Sequence, residues 1–113
     1  MMKKQTAVLI AAALMAAGAA HAEVKVGFSG VLSGPMAALG QDQYDGFMLA
    51  VEQLGGKLGG QPVTVLREDD QLKPDVGGQI VQKFIERDKV DAIVGLGFSN
   101  VLMAETRRIK DSG

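Results

Sequence analysis

The sequence predicts an α/β protein with an open parallel sheet and helices on both faces. After residue 22, short β-like runs alternate with longer helix-like runs in the order β-α-β-α-β-α. Parallel strands that are joined through helices form right-handed crossovers, which place helices over both faces. The nearly all-apolar run from Asp91 to Leu96 is typical of a parallel strand that is covered on both sides.

The first unit is a strand, a loop and a helix. Apolar residues alternate from Val24 to Phe28 and precede residues 29–34, which are rich in glycine and serine, so a strand and its loop are predicted. Apolar residues then recur at helical spacing, and this stripe comprises Tyr44, Phe47, Val51 and Leu54. Gly55 and Gly56 are expected to end the helix.

The second unit begins with a turn at Gly59-Gly60, and the β-branched residues within 62–68 predict its strand. Pro74 suits the first position of the next helix, because its φ is fixed and it lacks an N–H group. Gly77 and Gly78 are expected to weaken that helix by about 1 kcal/mol each relative to alanine. The third strand, Asp91 to Leu96, leads to a helix from about Val101.

The first 22 residues predict an export signal. Lys3 and Lys4 precede an apolar run over residues 7–20, and Ala20-His21-Ala22 has the small-x-small pattern that signal peptidase cleaves, which predicts cleavage after Ala22. The run has 14 residues, fewer than the ~20 that a membrane span needs. We therefore expect a soluble periplasmic protein; the alternative is an N-terminal core helix.

The composition of residues 23–113 argues against several function classes. This part has neither histidine nor cysteine, so it lacks the usual zinc ligands, the usual general base and the thiol nucleophile, and it has no cysteine for lipid anchoring. Loss of Lys3 and Lys4 leaves a net charge of −3 without a basic cluster. We expect neither catalysis nor a nucleic-acid partner, and no cofactor is predicted.

The predicted sheet is small, because three strands leave one edge open. The sequence ends at Gly113, just after a predicted helix, where a fourth strand is expected. Residues 23–113 are therefore interpreted as part of a larger lobe.

A binding site is expected beyond the carboxyl ends of the strands, where the strand order reverses. With the order 2-1-3, residues 29–40 and 97–101 would face each other across a cleft, and the loop after the second strand would lie to one side. Both cleft loops lead into helix N-termini, where free N–H groups favour an anion such as a carboxylate.

Five residues of these loops are candidate ligand contacts: Ser33, Leu39, Phe98, Ser99 and Asn100. Other roles are open, because Ser99 or Asn100 could cap the third helix and Ser33 could shape a turn with Gly34. Leu39 and Phe98 could instead be core residues.

Three further motifs allow more than one interpretation. The carboxylates of residues 68–70 could bind a hard cation, although a solvated loop is favoured. Residues 95–100 begin like a dinucleotide fingerprint, but Asn100 stands in place of the third glycine. Residues 97–101 resemble a nucleophile elbow, but Val101 replaces the last glycine and residues 23–113 contain no histidine.

The sequence resembles the leucine/isoleucine/valine-binding family of ABC transporter receptors, the type I periplasmic binding proteins. The resemblance rests on three segments in order: VKVGFSGVLSGPMAALGQDQYDGFMLAVEQLGG, EDDQLKPD and ERDKVDAIVGLGFSNV. It implies a flavodoxin-like lobe, of which residues 23–113 are the first half, and a second lobe that closes on the ligand.

The resemblance also implies a function. The protein would capture a branched-chain amino acid or a similar small carboxylate solute and deliver it to a membrane permease. Ser99 would contact the ligand carboxylate, and Leu39 stands where amino-acid-binding members often have an aromatic residue. The alternatives are a sensory ectodomain or an α/β enzyme with catalytic groups beyond residue 113.

Overall fold

Three parallel strands form the centre of the sheet, and a short antiparallel strand extends it at one edge. The computed structural model describes residues 22–113, so nearly all of the predicted export signal lies outside the described residues. The sheet has the order β2-β3-β1-β4, with strands β1 (Val24–Gly30), β2 (Lys57–Leu58), β3 (Gln61–Asp69) and β4 (Ala92–Gly95). The parallel strands β3, β1 and β4 confirm the predicted order 2-1-3.

Three helices alternate with the parallel strands, as predicted. They are α1 (Ala37–Gln53), α2 (Pro74–Lys83) and α3 (Ser99–Asp111). A π-helical turn, Phe84–Asp88, continues α2 and ends at Lys89, whose φ is 55°. Helix α3 begins two residues before the predicted start, so Ser99 and Asn100 belong to its first turn.

Strand β1 has helices on both of its faces, because successive residues of a strand point to opposite sides. Phe28 packs against α1, where the ring centroids of Phe28 and Tyr44 lie 5.0 Å apart in an edge-to-face arrangement. Gly27 faces the other side, and a β-carbon there would lie 2.6 Å from the ring of Phe84. The prediction of helices on both faces is confirmed.

Strand β2 was not predicted from the sequence. It pairs antiparallel with the start of β3, Lys57 opposite Pro62 and Leu58 opposite Gln61. Gly59 and Gly60, with φ values of 56° and 78°, form the turn between them, and two successive positive φ values suit a two-residue hairpin. A strand of two residues is too short to show alternation in sequence.

Gly77 and Gly78 have a packing role that the sequence analysis did not assign. A β-carbon on Gly77 would lie 2.5 Å from Val101 Cγ1, and one on Gly78 would lie 3.0 Å from a carboxylate oxygen of Glu105. Arg108 Nη1 also donates to the Gly78 carbonyl oxygen over 2.7 Å. The two glycines therefore allow α3 to lie close against α2, beside the buried side chain of Val81.

Candidate functional site

Three turns meet at the carboxyl edge of the sheet, where β1 ends. The amide of Leu96, just after β4, donates to the Ser29 carbonyl oxygen over 2.7 Å, and the amide of Asp70, just after β3, donates to the Gly30 carbonyl oxygen over 2.9 Å. The turn after β3 contacts both of the other turns, through Asp69 and Leu72. As predicted, this turn lies to one side, because β3 flanks β1 on the side opposite β4. Its contacts with both of the other turns were not predicted.

Asp69 connects the β3–α2 turn to the β1–α1 loop through hydrogen bonds. Its Oδ1 accepts hydrogen bonds from the amides of Leu32 and Gln71, each at 2.9 Å. Partial burial acts to raise the pKa of Asp69, but interactions with the Ser33 side chain, with these two amides and with the charge of Arg67 outweigh it. The pKa of Asp69 consequently lies below its ordinary value, and the carboxylate is ionised at neutral pH.

Asp70 and Ser29 form a buried polar pair beneath the turn, with 1% and 0% of their surfaces exposed. The Ser29 hydroxyl donates to Asp70 Oδ2 over 3.3 Å, and the amide of Leu72 donates to Oδ1 over 2.9 Å. Glu68, which precedes Asp69 in the sequence, forms an ion pair with Lys83. The favoured interpretation of residues 68–70 as a solvated loop is therefore wrong, since Asp70 is buried and hydrogen-bonded.

No cluster of residues suited to metal binding occurs among residues 22–113. Within the same range, no helix is both long enough and apolar enough to cross a membrane.

The first turn of α3 lies at this edge with no side-chain cap. Phe98 stands at the N-cap position with extended backbone (φ −115°, ψ 132°) and makes no capping bond. Ser99 is exposed, and Asn100 Nδ2 donates to the Leu72 carbonyl oxygen over 3.3 Å. The alternative that Ser99 or Asn100 caps α3 is not observed, and the first amides of a helix have no partner within the helix.

Leu39 lies on α1 and has 46% of its surface exposed, so the alternative that assigned it to the core is wrong. Gln43 follows four residues later and shares the same face of the helix. A β-carbon on Gly97 would lie 2.5 Å from Gln43 Oε1, so this side chain lies directly on the β4–α3 turn. Phe98, the next residue, is half-buried.

Gln43 was not among the site residues predicted from the sequence. Its spacing of four from Leu39 was the available signal, but nothing in the sequence indicated that residue 97 would approach α1 so closely.

A shallow cavity of about 260 Å³ brings Ser33 beside the β3–α2 turn. It is lined by residues of the β1–α1 loop and of that turn: Val31, Ser33, Gly34, Pro35, Met36, Gln71, Leu72 and Lys73. Leu39, Phe98, Ser99 and Asn100 do not line it, although Asn100 bonds to Leu72. The β1–α1 loop and the first turn of α3 thus contact different parts of the β3–α2 turn.

A larger cavity, of about 640 Å³, lies between α2 and α3 and is lined in part by Arg107 and Arg108. These arginines pair with Asp111 and Glu105, each at 3.6 Å, and Arg108 also donates to the Gly78 carbonyl oxygen. Because their charges are already paired, this cavity is less suited to an anion than the first turn of α3.

Comparison with known proteins gives consistent results. The profile of the family described as "Periplasmic binding protein" matches residues 23–113. A Leu/Ile/Val-binding protein homolog of Brucella abortus is 32% identical over 111 residues, which is 96% of this chain and 28% of that protein. The chain therefore spans just over a quarter of the length of this curated relative.

Solved structures show the same fold. A solute-binding protein of an ABC transporter from R. palustris, in complex with 4-hydroxybenzoate, is 32% identical with a TM-score of 0.75, over 80% of this chain and 25% of that chain. A branched-chain amino acid transporter substrate-binding protein of Streptococcus pneumoniae, in complex with isoleucine, is 25% identical with a TM-score of 0.74, over 80% of this chain and 27% of that chain.

Proposed function

The chain belongs to the periplasmic binding protein family, and from that premise we propose that it supplies the first half of the N-terminal lobe of an ABC transporter receptor. The receptor captures a small carboxylate solute, of which a branched-chain amino acid is the first candidate. It binds the solute stoichiometrically, without turnover, and delivers it to a membrane permease.

One observation carries this proposal: the first turn of α3 is uncapped and lies where the three turns meet. The amides at the start of α3 and the exposed Ser99 hydroxyl are donors available to an anion. The Asn100 side-chain amide already donates to Leu72, so Asn100 would contact the solute through its backbone N–H group. Ser99 is the residue assigned to the solute carboxylate.

The rest of the solute would contact apolar groups. Leu39 is exposed on α1, and Gln43, on the same helix face, lies on the β4–α3 turn that precedes Ser99. Phe98 is half-buried in that turn. Ser33, beside the β3–α2 turn, is a further hydroxyl at the margin of the site.

Two classes of solute fit this arrangement. Isoleucine and 4-hydroxybenzoate, which are bound in the two related structures, both combine a carboxylate with an apolar body. Leu39 and Phe98 suit either body, and Ser99 suits the shared carboxylate. A branched-chain amino acid additionally requires a group that accepts hydrogen bonds from its ammonium, which we assign to the second lobe.

Export and closure complete the proposal. Residues 1–22 would act as a signal that is cleaved after Ala22, which delivers the receptor to the periplasm. A second lobe would close over the solute by hinge motion and exclude water. Residues 23–113 alone would then bind weakly, and micromolar affinity measured by calorimetry on that segment would contradict the two-lobed design.

A thermal-shift screen of the intact receptor tests the proposed function. L-leucine, L-isoleucine, benzoate and 4-hydroxybenzoate are the probes, and L-leucinamide, which lacks the carboxylate, is the matched control. A solute at 100 times its Kd should add about 2.7 kcal/mol of stability. We expect one or more of the acids to raise Tm while the amide does not. Stabilisation by the amide equal to that by L-leucine would contradict recognition of a carboxylate.

A further inference from the structure

Asp70 joins three parts of the carboxyl edge through hydrogen bonds made by all of its polar groups. Its amide donates to the Gly30 carbonyl oxygen and its own carbonyl oxygen accepts from the amide of Lys73, each over 2.9 Å. Its Oδ1 accepts from the amide of Leu72, and its Oδ2 accepts from the Ser29 hydroxyl. With 1% of its surface exposed, Asp70 cannot contact a solute in the cleft directly.

The turn that Asp70 holds has an unusual backbone. Gln71 and Leu72 are consecutive non-glycine residues with φ values of 55° and 60°, in the left-handed region that side chains disfavour. The amide of Gln71 bonds to Asp69 and that of Leu72 to Asp70, so each residue is held by the carboxylate two positions before it. Such a conformation persists only when neighbouring interactions enforce it.

Leu72 connects this turn to the start of α3, because its carbonyl oxygen accepts the hydrogen bond from Asn100 Nδ2. Gly77 also lies between these two segments, because a β-carbon added there would lie 4.0 Å from Asp70 Cβ and 2.5 Å from Val101 Cγ1. The first turn of α3 is therefore attached to the segment that Asp70 holds.

We propose that Asp70 is a positioning residue for solute binding: it enforces the left-handed turn at Leu72, which fixes Asn100 and thereby orients Ser99 and the open amides of α3. This inference rests on the proposed function, in which that helix turn holds the solute carboxylate. The β1 strand end, through Ser29, is the fixed support for the turn.

A double-mutant cycle in the intact receptor tests this linkage, with L-leucine and benzoate as probes and Kd measured by calorimetry. Asp70→Ala removes both carboxylate bonds and should weaken binding by about 10-fold, because the turn no longer orients the donors of α3. Asn100→Ala should weaken binding by roughly 5-fold. Because both changes interrupt the same connection, the double variant should bind about as weakly as Asp70→Ala alone.

Asp70→Asn is the conservative rescue, because its carbonyl oxygen can still accept from the amide of Leu72. It should bind within about 3-fold of the wild type. Val51→Ala, in a buried residue near the end of α1, is the stability control and should lower Tm without changing Kd. An Asp70→Ala variant with the same Kd as Val51→Ala would overturn the proposal. A double variant whose loss of affinity equals the product of the losses in Asp70→Ala and Asn100→Ala would overturn it too.

Hydrogen exchange in the ligand-free protein separates this proposal from the proposed function. Without the turn, the amides of residues 102–104, which are the first in α3 to be hydrogen-bonded within the helix, should exchange about 10-fold faster in Asp70→Ala than in Val51→Ala. If Asp70→Ala does not fold, Ser29→Ala replaces it, with a smaller increase expected at the same amides. Unchanged exchange at these amides overturns the positioning role, even in a receptor that binds every probe. Faster exchange supports the role even where no probe binds and the proposed function fails.

Discussion

The carboxyl edge of the sheet and the helical layer formed by α2, its π-helical turn and α3 are stabilised by different interactions. In the helical layer, Val81, Phe84 and Val101 have 0% of their surfaces exposed and pack apolar groups together. At the carboxyl edge, Ser29 and Asp70 are buried polar residues, and they are held by hydrogen bonds. Apolar burial is non-directional and supplies stability, whereas hydrogen bonds fix the direction of donors. Substitutions should therefore affect stability in the first region and solute affinity in the second.

Phe84→Ala should have the largest effect on stability, because a fully buried ring that lies over Gly27 would leave a cavity. We expect the free energy of unfolding to fall by about 3 to 5 kcal/mol, measured by urea titration of the intact protein. Leu49→Ala, at a position that is 54% exposed on α1, is the control and should change it by less than about 0.5 kcal/mol. Equal losses in the two variants would contradict the assignment of Phe84 to the core.

Gly77→Ala should have the next largest effect. The added β-carbon would lie 2.5 Å from Val101 Cγ1, so α3 must shift away from α2. The expected loss is about 1 to 3 kcal/mol. Gly46→Ala provides the matched comparison, because Gly46 lies within α1 and a β-carbon there would meet no atom within 4 Å. That variant should gain up to about 1 kcal/mol, since alanine is the better helix former. A stabilising Gly77→Ala would show that the close approach of α2 and α3 is wrong.

Ser99→Ala should show the opposite pattern at the carboxyl edge. Ser99 is exposed and caps nothing, so Tm of the ligand-free protein should change little. The affinity of the best carboxylate solute should fall by about 1 to 3 kcal/mol, because the solute loses a hydroxyl donor. Ser112→Ala, near the other end of the same helix, is the control for removal of a hydroxyl and should leave Kd unchanged. An unchanged Kd in Ser99→Ala would remove this residue from the site.

The sequence predicted the helical layer and the strand order better than it predicted the carboxyl edge. The alternation up to Phe28 and the apolar run before Leu96 are patterns of neighbouring residues, so the two strands can be predicted from local sequence. The bonds that organise the edge join residues distant in sequence: Leu32 lies 37 positions from Asp69, and Ser29 lies 41 from Asp70. Three adjacent carboxylates give no indication of such partners, which is why residues 68–70 suggested a solvated loop.

The candidate site residues could likewise be predicted only as far as local sequence and strand topology allow. The turns that carry Ser33 and Ser99 were correctly expected at the carboxyl ends of the strands, because parallel topology requires it. The exposure of Leu39 and the approach of Gln43 to Gly97 depend on how α1 packs, which helical periodicity does not specify. Their contacts with a solute therefore stay predictions.

Asp69 gives the smallest predicted effect, and it depends on pH. Because the pKa of Asp69 is lower in the folded protein than its ordinary value, its contribution to stability is present above that ordinary value. The contribution is lost as the pH falls through the lowered pKa. As the pH falls, Asp69→Asn should therefore lose less unfolding free energy than the wild type does. The difference should be less than about 1 kcal/mol, because Asp69 is partly exposed. Asp42→Asn, an exposed carboxylate on α1, is the charge-matched control, and urea titrations below pH 5 provide the measurement. A decline as steep in Asp69→Asn as in the control would contradict this role of Asp69.

A crystal structure of the intact protein with a bound carboxylate solute would show directly whether the first turn of α3 holds the carboxylate. We expect one carboxylate oxygen within hydrogen-bond distance of Ser99 Oγ and of an amide in the first turn of α3. A carboxylate bound instead in the cavity between α2 and α3, beside Arg107 and Arg108, would contradict this expectation.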